Sequence, residues 1–146
     1  MDPKPANTIK TGTTQSPMPQ EIRAKYKVTR IIGKGAGGTV YKAKNRASGQ
    51  VVAIKAIEHS CEGDSDEVIF YKAKQILREV AVLRHLSKLP GAADFIPRLI
   101  EVIQTSSPSA NRPHQVTTFV VMEFVKGITL KEFMDDKASE QPLHFE

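Results

Sequence analysis

The chain has 146 residues, of which 40% are hydrophobic and 25% charged, a composition typical of a soluble globular domain. No stretch approaches the roughly 20 apolar residues that span a bilayer, and the first residues lack the apolar core of a secretory signal, so we expect no membrane partner. Cys61 is the only cysteine, which excludes an intrachain disulfide and favours a reducing compartment. We therefore expect a cytoplasmic or nuclear protein.

The net charge of +5 is concentrated in one interval. No acidic residue lies between Glu21 and Glu58. The basic residues of this interval are Arg23, Lys25, Lys27, Arg30, Lys34, Lys42, Lys44, Arg46 and Lys55. A basic segment suits an anionic partner, and a solvated strand face is the plain alternative for most of these residues. Because no aromatic residues interleave with them in a stacking pattern, we expect no nucleic-acid partner.

The predicted elements begin after a polar leader. Residues 1–25 are rich in Pro, Thr, Gln and Ser and have little to bury, which predicts a disordered segment. Strands are predicted at 26–32, 39–44 and 51–57. Their connections are too short for parallel pairing, so we expect an antiparallel meander.

A helix is predicted over residues 67–87, because apolar residues recur there at steps of four and three. These residues are Ile69, Ala73, Ile76, Val80 and Leu83. Pro90-Gly91 ends the helix. Two further strands are expected at 97–104 and 117–123, separated by a polar loop at 106–114, and another helix begins within 129–134. The pattern indicates an α+β domain over 26–146.

A glycine cluster occupies the first predicted hairpin and consists of Gly33, Lys34, Gly35, Ala36, Gly37 and Gly38. A dinucleotide fingerprint needs a helix directly after its glycines, whereas a β-branched and aromatic segment follows here, which indicates a strand. Glycines without side chains let backbone N–H groups approach an anion closely. A hairpin that binds no ligand is the alternative.

Two charged residues lie in otherwise apolar elements. Lys55 ends the apolar segment Val52–Lys55, and Glu79 lies at the margin of the apolar stripe of the predicted helix. None of the residues three or four positions from Glu79 is basic, so no local salt bridge is available to it. A carboxylate that faces the core needs a cation. We therefore expect Glu79 to pair with Lys55; a solvent-facing glutamate and an edge lysine are the alternatives.

These motifs together resemble the nucleotide-binding signature of eukaryotic protein kinases, in which a glycine-rich strand pair is followed by Val-Ala-Ile-Lys. The resemblance covers residues 26 to about 134. It implies an N-terminal lobe with a five-stranded antiparallel sheet and one main helix, truncated before the C-terminal lobe. The sequences at 76–79 and 83–86 are similar to those of the MAP-kinase-like branch, whereas 126–130 fits that branch poorly, so the subfamily stays open.

The resemblance also implies a site for ATP. Lys55, held by Glu79, would position the phosphates, and Ile32 with the glycine cluster would cover them. Val40, Ala53 and Met122 would line the adenine pocket. The hinge would hydrogen-bond adenine through the Glu123 carbonyl and the Val125 backbone.

Two departures from the family pattern bear on function. Gly37 occupies a loop-tip position that is often aromatic, and the loop at 106–114 is longer than usual. More importantly, the chain contains neither His-Arg-Asp nor Asp-Phe-Gly, the motifs that supply the catalytic Asp and the Mg²⁺ ligands. We therefore expect ATP to bind but the chain alone to be inactive.

Two functions stay open, and a third has little support. The chain is the ATP-binding part of a Ser/Thr protein kinase, or an inactive nucleotide-binding or decoy module that docks on a kinase or regulator. A nucleic-acid-binding domain rests on the basic interval alone. The protein substrate and regulator are not predicted. The histidines and Cys61 lack metal-ligand spacing, so we expect no metal held by this chain.

Overall fold

The computed structural model describes residues 18–59, 63–109 and 112–140. In chain order, the elements are α1 (Gln20–Lys25), β1 (Tyr26–Gly35), β2 (Gly38–Asn45), β3 (Val51–Glu58), α2 (Asp66–Leu86), a 3-10 turn (Ala92–Asp94), β4 (Leu99–Ser109), β5 (Arg112–Glu123) and α3 (Leu130–Glu140). No helix within these ranges is long and apolar enough to cross a membrane.

The five strands form one sheet in the order β1-β2-β3-β5-β4. Every neighbouring pair is antiparallel. This arrangement confirms the predicted five-stranded antiparallel sheet with one main helix. Short connections join β1, β2 and β3, whereas α2 carries the chain past β5 to the edge strand β4.

The sheet has two differently covered faces, because successive side chains of a strand point to opposite sides. We call them the α1 face and the α2 face. The buried cluster on the α1 face consists of Met18, Ile22, Tyr26, Ala43, Val52, Ile54, Phe119 and Val121. The smaller buried cluster on the α2 face consists of Ile57, Ile76, Val80 and Val120. Helix α2 therefore packs on the sheet through one apolar stripe.

The prediction of a disordered leader is wrong for residues 18–25. Met18 and Ile22 are 4% and 0% exposed, and α1 leads directly into β1. Lys25 Nζ lies 2.8 Å from Glu101 Oε2, and the Tyr26 hydroxyl donates to the same carboxylate. Burial of these apolar side chains offsets the ordering entropy of the segment. The rest of the predicted leader, residues 1–17, lies outside the described residues.

The prediction of a polar loop at 106–114 is also wrong for most of that range. Strands β4 and β5 stay paired out to Ser109 and Arg112. An antiparallel ribbon needs only backbone hydrogen bonds, so polar residues continue it. Helix α2 matches its prediction to within one residue at each end. Its N-terminus is capped by Ser65, whose hydroxyl oxygen accepts a hydrogen bond from the Val68 N–H.

Candidate functional site

The glycine hairpin lies close against β3. The turn between β1 and β2 consists of Ala36 and Gly37. Gly38 has a φ of +117°, and a Cβ built on it would lie 2.2 Å from the Ala56 carbonyl oxygen. Both the backbone conformation and the contact require glycine there. Gly35 has no atom within 4 Å of a built Cβ, so the described structure leaves space for a side chain at this position.

Lys55 lies beneath the tip of this hairpin. In the β2–β3 pairing, Lys55 is directly opposite Val40, so the two side chains share the α2 face. A Cβ built on Gly37 would lie 3.5 Å from Lys55 Nζ. The sheet register therefore brings the glycine turn and the lysine to one place.

Glu79 approaches the same lysine from α2. Its Oε1 lies 2.6 Å from Lys55 Nζ, and the two side chains are 38% and 21% exposed. Burial of Ile76 and Val80 against the sheet fixes the rotation of the helix that places Glu79 beside β3. An ammonium group has three N–H donors. Glu79 accepts one of them, and Lys55 remains partly accessible to a further anion.

Two cavities meet at Glu79. The first lies between the hairpin tip and the N-terminal half of α2; the site residues that line it are Lys34, Gly35, Ala36, Gly37, Gly38 and Glu79. The second is predominantly apolar and is lined by Val40, Lys55, Arg78, Glu79, Val82, Leu83 and Met122. An apolar cavity beside a cation can accommodate a ligand that joins a flat ring to an anion.

The remaining predicted site residues do not line either cavity. Gly33 lies opposite Val40, and Ala53 lies opposite Met122 on the α2 face. Ile32 lies at a bulge of β1 and Val125 follows β5, 39% and 65% exposed respectively. Glu123 ends β5, where its backbone N–H donates to the Arg98 carbonyl at 2.9 Å.

Sequence reasoning missed several contacts around the site. Arg78, Val82 and Leu83 line the apolar cavity; only Leu83 was predicted to belong to the apolar stripe of the helix. Lys42 Nζ lies 4.5 Å from the centroid of the Phe124 ring, a cation–π distance. The basic interval contains Lys42, but only the three-dimensional fold brings the segment after β5 beside it.

The described residues do not fit a magnesium site. They contain no group of three or more His, Cys, Asp or Glu side chains that could hold a metal ion. The Glu79 carboxylate, which lines the cavity at the glycine turn, is paired with Lys55. A protein site for Mg²⁺ uses oxygen ligands from carboxylates together with substrate phosphates. We therefore assign no magnesium ligand to these residues.

The glycine hairpin, the Lys55–Glu79 pair and the five-stranded antiparallel sheet together have the arrangement of a protein kinase N-terminal lobe. A family model described as the protein kinase domain matches residues 26–144. The chain therefore belongs to the protein kinase domain family, as its N-terminal part.

Curated relatives agree with this assignment. The chain is similar to CBL-interacting protein kinase 22 of Oryza sativa subsp. japonica, with 26% identity over 80% of this chain and 25% of the relative. CBL-interacting serine/threonine-protein kinase 19 of Arabidopsis thaliana shows 33% identity over 82% and 21%. Mitogen-activated protein kinase 1 of Oryza sativa subsp. japonica shows 40% over 53% and 19%. The chain thus spans a quarter or less of the length of these relatives.

Proposed function

We propose that this chain binds ATP on the α2 face and is the ATP-binding part of a Ser/Thr protein kinase. The observation that carries the proposal is the position of Lys55. Its Nζ is 2.6 Å from Glu79 Oε1 and 3.5 Å from a Cβ built on Gly37. A held cation beneath a glycine turn suits a phosphate group, because the ammonium and the turn amides can both donate to it.

The base of the nucleotide fits the neighbouring apolar cavity. Val40 and Met122 supply its sheet side, while Val82 and Leu83 supply its helix side. Burial of a flat ring against aliphatic side chains is favourable in proportion to the apolar area removed from water. We propose that the backbone of Glu123 and Val125 hydrogen-bonds the ring edge, as the family resemblance implies.

Phosphoryl transfer requires more than this binding site. Catalysis of that reaction depends on positioning and on charge neutralisation by metal ions. The described residues offer no metal cluster, and the sequence has no His-Arg-Asp or Asp-Phe-Gly. We therefore propose nucleotide binding without phosphoryl transfer for this chain alone. Transfer to protein serine and threonine would belong to a whole kinase of the length of its relatives.

Calorimetric titration of the chain with ATP tests the proposal. The native chain is expected to bind ATP, and Lys55→Ala is expected to lose about 1.5–3 kcal/mol, roughly ten- to a hundredfold in Kd, because a charged hydrogen-bond donor is removed. Lys74→Ala is the matched control. Lys74 is an exposed lysine of α2 that lines neither cavity, and its loss should leave the affinity unchanged.

Three outcomes would contradict the proposal. Absence of ATP binding by a chain with a cooperative thermal transition would remove the nucleotide function and favour a decoy or scaffold module. Equal loss of affinity in the Lys55 and Lys74 variants would mean that ATP affinity depends only on the net charge of the chain. If the purified chain transferred the labelled γ-phosphate of ATP to a mixture of substrate proteins, the proposed inactivity would be wrong.

A further inference from the structure

Four basic side chains form a row on the α2 face, beyond the proposed nucleotide site. Tyr26 and Ala43 belong to the cluster of the α1 face. Their strand neighbours Lys27, Lys42 and Lys44 therefore point to the opposite face. A bulge lies between Val28 and Arg30 and places Arg30 directly opposite Lys42. We call Lys27, Arg30, Lys42 and Lys44 the basic strip.

The basic strip contains two directly opposed pairs of like charge. Lys27 faces Lys44 and Arg30 faces Lys42 across the β1–β2 ladder. Like charges directly opposite one another in a sheet are destabilising. Protection of a sheet edge by basic residues accounts for Lys27 and Arg30, because β1 is an edge strand. It does not account for Lys42 and Lys44, because β2 is flanked on both sides.

The charges of the basic strip are not compensated within the described part of the chain. The ion pairs there are Lys25–Glu101, Lys55–Glu79 and Lys72–Asp64, and none involves the strip. Lys42 lies over the Phe124 ring, which supplies no net charge. Lys27, Arg30 and Lys44 are exposed. The strip therefore combines repulsion with accessibility, a combination that an anionic partner would relieve.

We propose that the basic strip binds an extended acidic segment of a partner protein. Alternate residues of an extended peptide are about 6.6–6.8 Å apart on one side. Lys42 and Lys44 have this same separation on β2. Carboxylates at alternate positions of the peptide can therefore lie one beside the Arg30–Lys42 pair and the next beside the Lys27–Lys44 pair. Nucleic acid fits less well, because bases bind on exposed aromatic faces, whereas Tyr26 is 2% exposed and Lys42 occupies one face of the partly buried Phe124 ring.

The acidic segment would extend along the hairpin away from the glycine turn and would adjoin the nucleotide site at Lys42. Strand β2 begins at Gly38, beside the glycine turn, and ends at Asn45. Val40 lies opposite Lys55, and the basic strip begins only after it. Lys42, however, lies directly opposite Ala53 and over the Phe124 ring, so it adjoins the proposed adenine site. The peptide titrations are therefore made without ATP, and the proposal can hold or fail whether or not the chain binds ATP.

The test uses fluorescence anisotropy with a labelled peptide of alternating glutamate and threonine. Its matched probe has glutamine in place of glutamate. The native chain is expected to bind the acidic peptide more tightly than the glutamine peptide, and less tightly as salt screens the charges. The double variant K27Q/K44Q should weaken this binding by about five- to tenfold, as expected for two exposed charges. The control K74Q/K88Q removes two exposed lysines outside the strip.

A single charge reversal separates binding from folding. Lys44→Glu creates an opposite-charge pair with Lys27 and should raise the melting temperature, while it weakens peptide binding. A misfolded variant cannot show both effects. The proposal is overturned if K27Q/K44Q binds the peptide as the native chain does or if K74Q/K88Q is weakened equally. Tighter binding of labelled single-stranded DNA than of the acidic peptide would also overturn it.

Discussion

The two faces of the sheet differ in chemistry although they share the same five strands. The buried cluster of the α1 face is apolar throughout except for the Tyr26 hydroxyl. The α2 face has a smaller buried cluster and carries the Lys55–Glu79 pair, the apolar cavity and the basic strip. The period of two in each strand allows this division. The α1 face mainly stabilises the domain, with one ion pair, Lys25–Glu101, beside its buried cluster, whereas the α2 face has several charged side chains and open space for ligands.

The largest effect is expected from a change on the α1 face. Ile22 is 0% exposed and joins α1 to the sheet. Ile22→Ala should lower the free energy of unfolding by about 2–4 kcal/mol, because it removes buried methyl groups and leaves a cavity. Urea denaturation followed by circular dichroism measures this change.

The affinity of Ile22→Ala for ATP decides whether the two faces are independent. We expect the folded fraction to bind ATP as the native chain does, because Ile22 contacts neither cavity. Leu77→Ala on α2, where Leu77 is 67% exposed, is a control of similar size and should cost much less stability. A loss of ATP affinity in folded Ile22→Ala would show that the faces are coupled.

The next largest effect on stability is expected from a change in the β1–β2 hairpin. Gly38→Ala should destabilise the chain by about 1–3 kcal/mol, because φ is unfavourable and the new Cβ would meet the Ala56 carbonyl at 2.2 Å. ATP binding should weaken as well, since the turn must move. Gly35→Ala has open space around its Cβ and should leave stability nearly unchanged. Thermal melts of both variants test this contrast, and equal destabilisation would contradict it.

Glu79→Gln is expected to change stability less than Ile22→Ala and Gly38→Ala do, but to lower the affinity for ATP clearly. The pair with Lys55 is partly exposed, at 38% and 21%, so its loss should cost under about 1 kcal/mol of stability. ATP affinity should fall because Lys55 loses the partner that positions it. Calorimetry and thermal melts on one preparation separate the two effects. A large stability loss with unchanged affinity would make the pair a purely structural feature.

The sequence predicted all five strands and the main helix because their signals are strong and local. Lys55 and Glu79 were recognisable as charges in apolar elements, and the structure brings them together. Helix α1 was missed because it has six residues and only a few apolar side chains in a polar segment. The ends of β4 and β5 were missed because a ribbon of backbone hydrogen bonds leaves no apolar pattern.

The basic strip shows a further limit of sequence reasoning. The run of basic residues was visible, but which of them face one another depends on strand register. The bulge between Val28 and Arg30 shifts the alternation within β1. Without it, Arg30 and Lys42 would not be directly opposed. The sequence therefore shows how many basic residues the hairpin contains, but only the strand pairing shows which of them repel one another.

The smallest effect is expected from pH, at the far end of the α2 face. His59 Nε2 lies 2.6 Å from the Thr118 hydroxyl oxygen, and Gln104 Nε2 donates to that same oxygen. The Thr118 hydroxyl can donate to neutral His59 in one tautomer, whereas protonated His59 can only donate to the hydroxyl oxygen. Burial lowers the pKa of His59 below its usual value of 6.5. The unfolded chain thus binds the proton more readily than the folded chain.

Stability should be unaffected by His59 above about pH 6.5 and should fall as the pH drops below that value, through the lower pKa of the folded state. Carboxylates also titrate in this direction at lower pH, so the comparison with variants carries the test. Melting temperatures of His59→Gln should depend less on pH between about 7 and 5 than those of the native chain. His85→Gln, at an exposed histidine of α2, should keep the native pH dependence. If the melting temperatures of both variants follow the native pH dependence, protonation of His59 does not change the stability of the chain. The contact between His59 and Thr118 would then contribute no pH dependence to folding.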